Sequence, residues 1–242
     1  MRDSIAMAET TKIIVENYYR DYGARKGSLR NDLLRNPEVL FQVLAADASI
    51  VSALRSIQAD PARAKVLDIG CGDGASLLPL LRLGFEPSNL YGVDIRGEQI
   101  ALAQVRYPGL HFQCIDASSL RFPDATFDIV QESMMFLQMT DQELRRQVAR
   151  EMIRVTKPGG CLLLSDWRYG KPGTSEFKPL DRRRIAELFQ VGSATKTHGV
   201  FSGALVPPIG RFLSKNLPAL YFLIQRFLPF AVAQISTVLT KI

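Results

Sequence analysis

Cysteine and histidine are scarce in this sequence, with three cysteines and two histidines among 242 residues. Cys71, Cys114 and Cys161 are far apart in the chain, odd in number and surrounded by apolar, strand-like segments. This arrangement is typical of reduced thiols and not of a disulfide framework. No group of cysteine and histidine residues has metal-ligand spacing. We therefore expect a cytoplasmic protein without a metal site.

A long uninterrupted apolar run is also missing. Residues 1–12, MRDSIAMAETTK, contain no apolar signal core. The most apolar stretch, residues 217–233, is interrupted by Gln225, Arg226 and two prolines. A membrane-spanning helix needs about 20 mostly apolar residues. The sequence therefore predicts no transmembrane segment.

Acidic residues are few at the C-terminal end, where residues 171–242 hold 10 basic and 3 acidic side chains. This region accounts for nearly all of the formal net charge of +6. A local basic surface favours an anionic partner, such as a phosphorylated substrate, a lipid headgroup or nucleic acid. A solvated surface that aids solubility is the alternative interpretation.

The apolar pattern changes near residue 60. Residues 1–60 have helical spacing on both sides of a Gly-rich loop at 23–28, which predicts an N-terminal helical cap; residues 1–35 of this cap can close as a lid. From Lys65 onward, strand-like and helix-like segments alternate, which predicts an α/β fold with helices on both faces of a mostly parallel sheet. The predicted strands are 66–70, 90–95, 111–116, 127–132 and 161–167, and the predicted helices are about 75–83, 98–106, 141–155 and 181–190, with a turn at 157–160.

Two further strands, 194–204 and 231–241, are predicted to close the sheet as an antiparallel pair around a helical insertion at about 205–230. We interpret the chain as one domain, 1–242, with a cap over 1–60, a core over 61–170 and a C-terminal part over 171–242. Residues 207–229 combine many apolar side chains with three basic ones. This segment is expected to shape an acceptor pocket, contact a membrane peripherally, or form a dimer contact.

The chemistry is concentrated in the segment VLDIGCGDG at 66–74, where a strand meets a glycine-rich turn that opens a helix. Glycines there allow a tight turn and a close approach of backbone to a ligand. A dinucleotide turn places pyrophosphate at this point. Asp68 and Asp73 would repel pyrophosphate and attract a cation. The charge pattern therefore favours S-adenosylmethionine (SAM), which carries a sulfonium and an ammonium group, over NAD.

Acidic residues also end the next three predicted strands. Asp94 can accept hydrogen bonds from both ribose hydroxyls, and Asp116, followed by Ala117, can meet an adenine ring. Glu132 ends the fourth strand. Each aspartate alone is also a common helix cap. Together with the glycine turn they predict a nucleoside-containing cofactor.

These segments, VLDIGCGDG, YGVDI, CIDASSLRFPDATFDIV and KPGGCLLLSDW, resemble the successive motifs of class I SAM-dependent methyltransferases over about residues 60–170, and most closely those acting on small molecules. The resemblance implies a Rossmann-like, doubly wound sheet of seven strands with an antiparallel last strand. It implies contacts of the methionine part with the glycine turn, of ribose with Asp94 and of adenine with Asp116. The expected cofactor-binding residues are Asp68, Gly70, Cys71, Gly72, Asp94, Ile95, Asp116, Ala117 and Glu132.

Methyl transfer from a sulfonium mainly requires alignment, with a general base where the acceptor is a hydroxyl. Glu132, His198 and Tyr22 are the candidate catalytic residues. Glu132 can alternatively orient SAM, and His111 is expected to be structural.

A small-molecule acceptor, methylated on a hydroxyl oxygen, is the favoured interpretation. The place after the fourth strand lacks the Asn/Asp-Pro-Pro-aromatic motif of enzymes that methylate base amino groups, which argues against a nucleic-acid acceptor. A methyltransferase acting on RNA or protein through the basic C-terminal region, or a SAM-binding protein without catalytic output, are the alternatives.

Overall fold

A computed structural model describes residues 13, 17, 33–170, 173 and 178–242. Half of the predicted N-terminal cap, including most of the proposed lid over residues 1–35, lies outside the described residues. So does Tyr22. From residue 33 onward the elements can be compared with the sequence-based expectations one by one.

A seven-stranded sheet in the order β3-β2-β1-β4-β5-β7-β6 forms the centre of the fold. Six strands are parallel and β7 is antiparallel, as predicted. The strands are β1 Val66–Ile69, β2 Leu90–Asp94, β3 His111–Cys114, β4 Phe127–Ser133, β5 Thr156–Trp167, β6 Thr195–Ser202 and β7 Gln234–Lys241. The Rossmann-like fold class is therefore confirmed.

The described helices follow the predicted alternation. They are α1 Pro37–Ser56, α2 Leu78–Arg82, α3 Gly97–Arg106, α4 Gln142–Val155, α5 Arg182–Leu188, α6 Pro207–Asn216 and α7 Tyr221–Phe227. Two aspartates cap helices as their side-chain chemistry favours: Asp141 accepts from the Leu144 N–H and Asp181 from the Arg184 N–H. The helix expected at 75–83 begins instead as a 3-10 turn, Ala75–Leu77, before α2.

One predicted turn lies inside a strand. The residues Lys157–Gly160 belong to β5. The pairing with β4 jumps from Phe127↔Thr156 to Ile129↔Cys161, so the intervening residues form an excursion from the ladder. Within this excursion Gly159 adopts a left-handed backbone conformation, with φ of 74°. The glycines therefore bend the strand where a chain reversal was expected.

The coordinates separate into two compact units. The larger unit comprises Ile50–Phe201 and Ile235–Ile242 and contains the apolar core. The other joins the described residues up to Ser49 with Ser202–Gln234. In it the Ser214 hydroxyl donates to the Pro37 carbonyl at 2.5 Å. The predicted C-terminal insertion and the end of the predicted cap thus pack on each other.

Helix α1 is the one described helix that is long and apolar enough to cross a membrane by length and composition alone. About a third of its most apolar window, 33%, is buried inside the protein. Core helices pass the same test, so this helix is weak support for a membrane span.

Gly92 in β2 provides a test of how tightly the sheet packs beneath the glycine turn. A Cβ atom there would lie 2.8 Å from Cys71 Sγ and from the Phe112 ring, whereas one at Gly97 would meet nothing closer than 3.9 Å. We expect Gly92→Ala to destabilise the protein by about 1–3 kcal/mol through overpacking. Gly97→Ala, the matched control, should not destabilise it. Equal urea midpoints for the two variants would contradict this packing.

Candidate functional site

The glycine turn after β1 has the geometry that its sequence predicts. Gly70, Gly72 and Gly74 all have positive φ, at 73°, 53° and 83°. The Gly70 and Cys71 N–H groups donate to the Val93 carbonyl at 2.8 and 3.0 Å, which ties the turn to the end of β2. A Cβ on Gly70 would lie 3.0 Å from the Met135 side chain. Glycine is therefore required here by both conformation and space.

Asp94, at the end of β2, is buried and fully engaged. Its Oδ2 accepts from the Gly72 N–H at 2.9 Å and from Arg96 Nη2 at 3.2 Å. Its Oδ1 accepts from the Arg96 backbone N–H at 2.9 Å and from Arg96 Nε at 3.1 Å. The expected ribose-binding carboxylate thus holds a bidentate arginine, the geometry that makes such pairs strong. Ile95 follows it, and its carbonyl accepts from the Cys114 thiol at 3.5 Å.

Asp68 in β1 is a buried acid with one unsatisfied oxygen. Its Oδ2 accepts a hydrogen bond from the Ser76 hydroxyl. Its Oδ1 has no hydrogen-bond partner among the described residues. Burial raises the pKa of Asp68 to about 7, against the opposing effect of the Ser76 hydrogen bond. A cation placed at this oxygen would favour the ionised form.

Glu132, at the end of β4, has a similar environment. It is 1% exposed, and its Oε2 accepts from the Met135 N–H at 3.1 Å. Its Oε1 has no partner within the described ranges. Burial, and then the nearby Asp166 carboxylate, raise the pKa of Glu132 well above its usual range. Because β1 and β4 are neighbours, with Ile69 opposite Glu132, two buried unsatisfied acceptors lie on adjacent strands.

Two further charged residues at this edge were missed by sequence reasoning. Asp166 in β5 accepts from the Leu137 N–H at 2.8 Å and the Trp167 N–H at 2.6 Å, and burial raises its pKa to about 7. Arg145 on α4 is 1% exposed, and its pKa is lowered by burial. A signal for Arg145 existed in the sequence, because the helical spacing of Leu144, Val148 and Met152 places residue 145 on the buried side.

Two of the other predicted cofactor residues lie beyond β3, and Cys71 lies in the glycine turn after β1. Asp116 and Ala117 are partly exposed and follow the strand by two and three residues. Asp116 Oδ1 accepts from the Ser118 N–H at 2.9 Å, closing a local turn. Cys71 is a buried free thiol whose pKa is raised by burial. The assignment of these residues to cofactor contacts stays a prediction.

The structure does not bring together Glu132 and His198, the two candidate catalytic residues that it describes. His198 lies in β6, at the far edge of the sheet, where a ring nitrogen is 3.1 Å from the Ser56 carbonyl oxygen. Four strand spacings separate β6 from β1, roughly 19 Å. Tyr22 is outside the described residues. We call Asp68, Asp94, Glu132 and Asp166 the strand-end cluster. Of the candidate catalytic residues that the structure describes, Glu132 alone belongs to it.

A metal site has no support in the described part of the chain, where no group of three or more His, Cys, Asp or Glu side chains could hold an ion. The buried charges are instead four carboxyls and two guanidiniums: Asp68, Asp94, Glu132, Asp166, Arg96 and Arg145. Fully ionised, this set has an excess of two negative charges. Its chemistry suits a ligand that brings positive charge.

Comparison with known proteins identifies the kind of domain. Residues 66–160 match the family model described as a methyltransferase domain. The 2-methyl-6-phytyl-1,4-hydroquinone methyltransferase of Synechocystis sp. is 37% identical over 111 residues, which cover 44% of this chain and 33% of that protein. The fatty-acid O-methyltransferase of Mycolicibacterium smegmatis is 31% identical over 176 residues, covering 71% and 58%.

A solved structure has a similar fold over most of the chain. The crystal structure of the PH0226 protein from Pyrococcus horikoshii OT3 superposes with a TM-score of 0.61 at 19% identity, covering 93% of this chain and 99% of that one. The chain spans less than two thirds of the length of either curated relative.

The sheet, the glycine turn and the strand-end acids define a Rossmann-like domain that binds a nucleoside-containing cofactor. Residues 66–160 match a methyltransferase domain, and the fold and the relatives support its assignment as a class I SAM-dependent methyltransferase domain. SAM as the cofactor of this domain is confirmed. The residues present fit it, because Asp68 Oδ1 and Glu132 Oε1 are buried acceptors without partners among the described residues, at an edge with excess negative charge. Pyrophosphate would be repelled there.

The buried acids predict a specific dependence of stability on pH. Asp68 and Asp166 have folded-state pKa values of about 7, raised from 3.8. Between those values the folded protein holds protons that the unfolded chain has released. The free energy of unfolding of the cofactor-free protein should therefore fall as pH rises from about 4 to about 7, by at most roughly 4 kcal/mol per carboxyl.

Urea unfolding at a series of pH values measures this slope. Asp68→Asn cannot release a proton, so its slope should be shallower than that of the unchanged protein. Stability that rises steadily over the same window, or an identical slope in Asp68→Asn, would show that Asp68 is ionised in the folded state.

Proposed function

We propose that this protein transfers a methyl group from SAM to an apolar small-molecule acceptor, on a hydroxyl oxygen. The excess of buried carboxyls at the carboxyl ends of β1, β2, β4 and β5 carries the proposal. In open α/β sheets, ligands bind outside this edge. A cationic cofactor compensates the charge, whereas a dinucleotide adds to it.

SAM, when bound, supplies a methyl group on a sulfonium that is already a good leaving group. The protein itself then contributes by positioning the cofactor and by balancing the charge of its cationic groups. Asp68 and Glu132 offer their unsatisfied oxygens to the cationic groups. The glycine turn lets backbone approach closely, with the Gly72 N–H held by Asp94. Because these groups are buried, their attraction for a cation is stronger than it would be in water.

The acceptor class is supported by the names of the relatives. One acts on a hydroquinone with a phytyl chain and another is a fatty-acid O-methyltransferase. Both acceptors are largely apolar molecules that carry oxygen. We assign the same class of acceptor to this chain.

The methylated product tests the assignment of oxygen as the acceptor atom. The protein is incubated with isotopically labelled SAM and a panel of lipid-like phenols, hydroquinones and fatty acids. NMR then distinguishes an O-methyl group, the expected product, from a C-methyl group. Methylation of RNA or protein in a parallel incubation, with none of the small acceptors modified, would contradict the acceptor class.

Calorimetry tests the cofactor assignment. SAM and its demethylated product should both bind, and NADH should not. Asp94→Ala should weaken SAM binding by at least about 1.5 kcal/mol, the scale of a hydrogen bond to a charged group. Asp73→Ala is the matched control, since Asp73 is in the same loop but pairs with Arg106 at the surface. Tight NADH binding without SAM binding would refute the assignment.

The Glu132→Gln variant distinguishes the two roles expected of this residue, which are to orient SAM and to act as a general base. We expect it to act as the orienting acceptor, because it is buried and hydrogen-bonded to the Met135 N–H. The variant keeps the side-chain shape but removes the negative charge, so SAM affinity should fall about tenfold or more. A general-base role predicts the opposite pattern, with unchanged SAM affinity and a loss confined to the single-turnover rate.

A further inference from the structure

An amphipathic surface helix usually turns its apolar side toward the protein. In α7 the side that faces the protein makes polar contacts instead. Tyr221 is buried; its hydroxyl donates to Gln42 Oε1 at 2.6 Å and accepts from the Leu205 N–H at 3.1 Å. One turn later, Gln225 Nε2 donates to two backbone carbonyls, those of Ser202 and Gly203, at 3.2 and 2.6 Å. The polar side chains of α7 that lie on this side are thus fixed against the protein.

The outward side of α7 is apolar. Leu223 and Phe227, four residues apart and therefore on one face, are 51% and 68% exposed. Phe222 and Arg226 form the adjacent row. The exposed apolar side chains continue on both sides of the helix, and this docking face comprises Ile209, Phe212, Leu217, Leu220, Phe222, Leu223, Phe227 and Leu228. Eight exposed apolar side chains within twenty residues are more than scattered surface hydrophobes, and such clustering marks contact with a partner or a membrane.

The charge of the same segment selects the kind of partner. Residues 202–234 contain three basic side chains, Arg211, Lys215 and Arg226, and no acidic one. Arg226 is exposed on α7 next in sequence to Phe227, and Lys215 is exposed in the last turn of α6. A second copy of the chain, apposed about a two-fold axis through this face, would bring two positively charged surfaces without acidic residues together. Nucleic acid would satisfy the charge but leave the leucine and phenylalanine side chains in water.

We propose that this face docks on the surface of an anionic lipid bilayer, with Leu223 and Phe227 inserted below the headgroups and Arg226 and Lys215 at the level of the phosphates. An interfacial helix combines these two features, an apolar face and flanking basic residues. The inward hydrogen bonds of Tyr221 and Gln225 hold the helix with its apolar side outward before any membrane is met. The docking face shares no residue with Asp68, Asp94, Glu132 and Asp166, and the proposal requires no bound SAM.

Vesicle co-sedimentation of the full chain tests the proposal without any enzymatic reaction. The protein should bind vesicles of phosphatidylcholine mixed with phosphatidylglycerol and bind much less to phosphatidylcholine alone. Raising the ionic strength should weaken the binding, because the headgroup attraction is screened. Leu223→Gln with Phe227→Gln should reduce partitioning about tenfold or more, since two apolar side chains lose their insertion.

A matched control is available in the other unit. Leu102 and Val105 on α3 are 44% and 82% exposed. Changing both to glutamine should leave vesicle binding unchanged. Arg226→Gln with Lys215→Gln should lower binding to anionic vesicles and flatten its salt dependence. Circular dichroism and SAM calorimetry establish that each variant is folded.

Three results would overturn the proposal. The first is absence of binding of the unchanged protein to anionic vesicles. The second is equal binding by the Leu223/Phe227 variant. The third is a dimer in analytical ultracentrifugation that becomes a monomer in the Leu223/Phe227 variant while neither form binds vesicles; this would assign the face to self-association.

Discussion

Burial of carboxyl groups along one edge of the sheet is the constraint on which the rest of the site depends. Parallel strands bring their carboxyl ends together, so acids placed at the ends of β1, β2, β4 and β5 become neighbours. Each is compensated differently: Asp94 by Arg96, Asp166 by two backbone N–H groups, Asp68 by the Ser76 hydroxyl and Glu132 by the Met135 N–H. The compensation is incomplete, and it remains so without a cationic ligand.

This incomplete compensation lowers the stability of the folded protein, and the same property makes the site suited to binding a cation. A buried carboxyl that stays protonated near neutral pH is less favourable for the folded protein than a surface one. The same group gains more from a cation than a solvated carboxylate could. Local departures from the most stable arrangement are expected where a protein binds its ligand. The strand-end cluster departs in this way, whereas the apolar core beneath it does not.

Much of the fold could be predicted from the sequence because its signals are local. The buried run VLDI, the glycine turn and the capping aspartates Asp141 and Asp181 each act within a few residues. Three of the strand-end acids, Asp68, Asp94 and Glu132, could also be predicted, since parallel topology brings the ends of their strands to one edge.

What could not be predicted depends on contacts distant in sequence. The pairing of Arg96 with Asp94 depends on the side-chain conformation that the arginine adopts, and no pattern in the sequence specifies it. Arg145 and Asp166 come from α4 and β5 and meet only in the folded core. The excursion at Lys157–Gly160 depends on how β5 pairs with β4. The junction of Pro37 with Ser214 spans most of the chain, and helical spacing in either segment contains no information about it.

The Arg96–Asp94 pair would give the ribose contact expected at Asp94 the character of an exchange reaction. The carboxylate of Asp94 already accepts four hydrogen bonds, three of them from Arg96. A ribose bound there would take the place of the guanidinium, so two hydroxyl groups would replace two N–H groups as donors to the carboxylate. A nucleoside lacking either hydroxyl would not complete this exchange, and it would leave the arginine where it is.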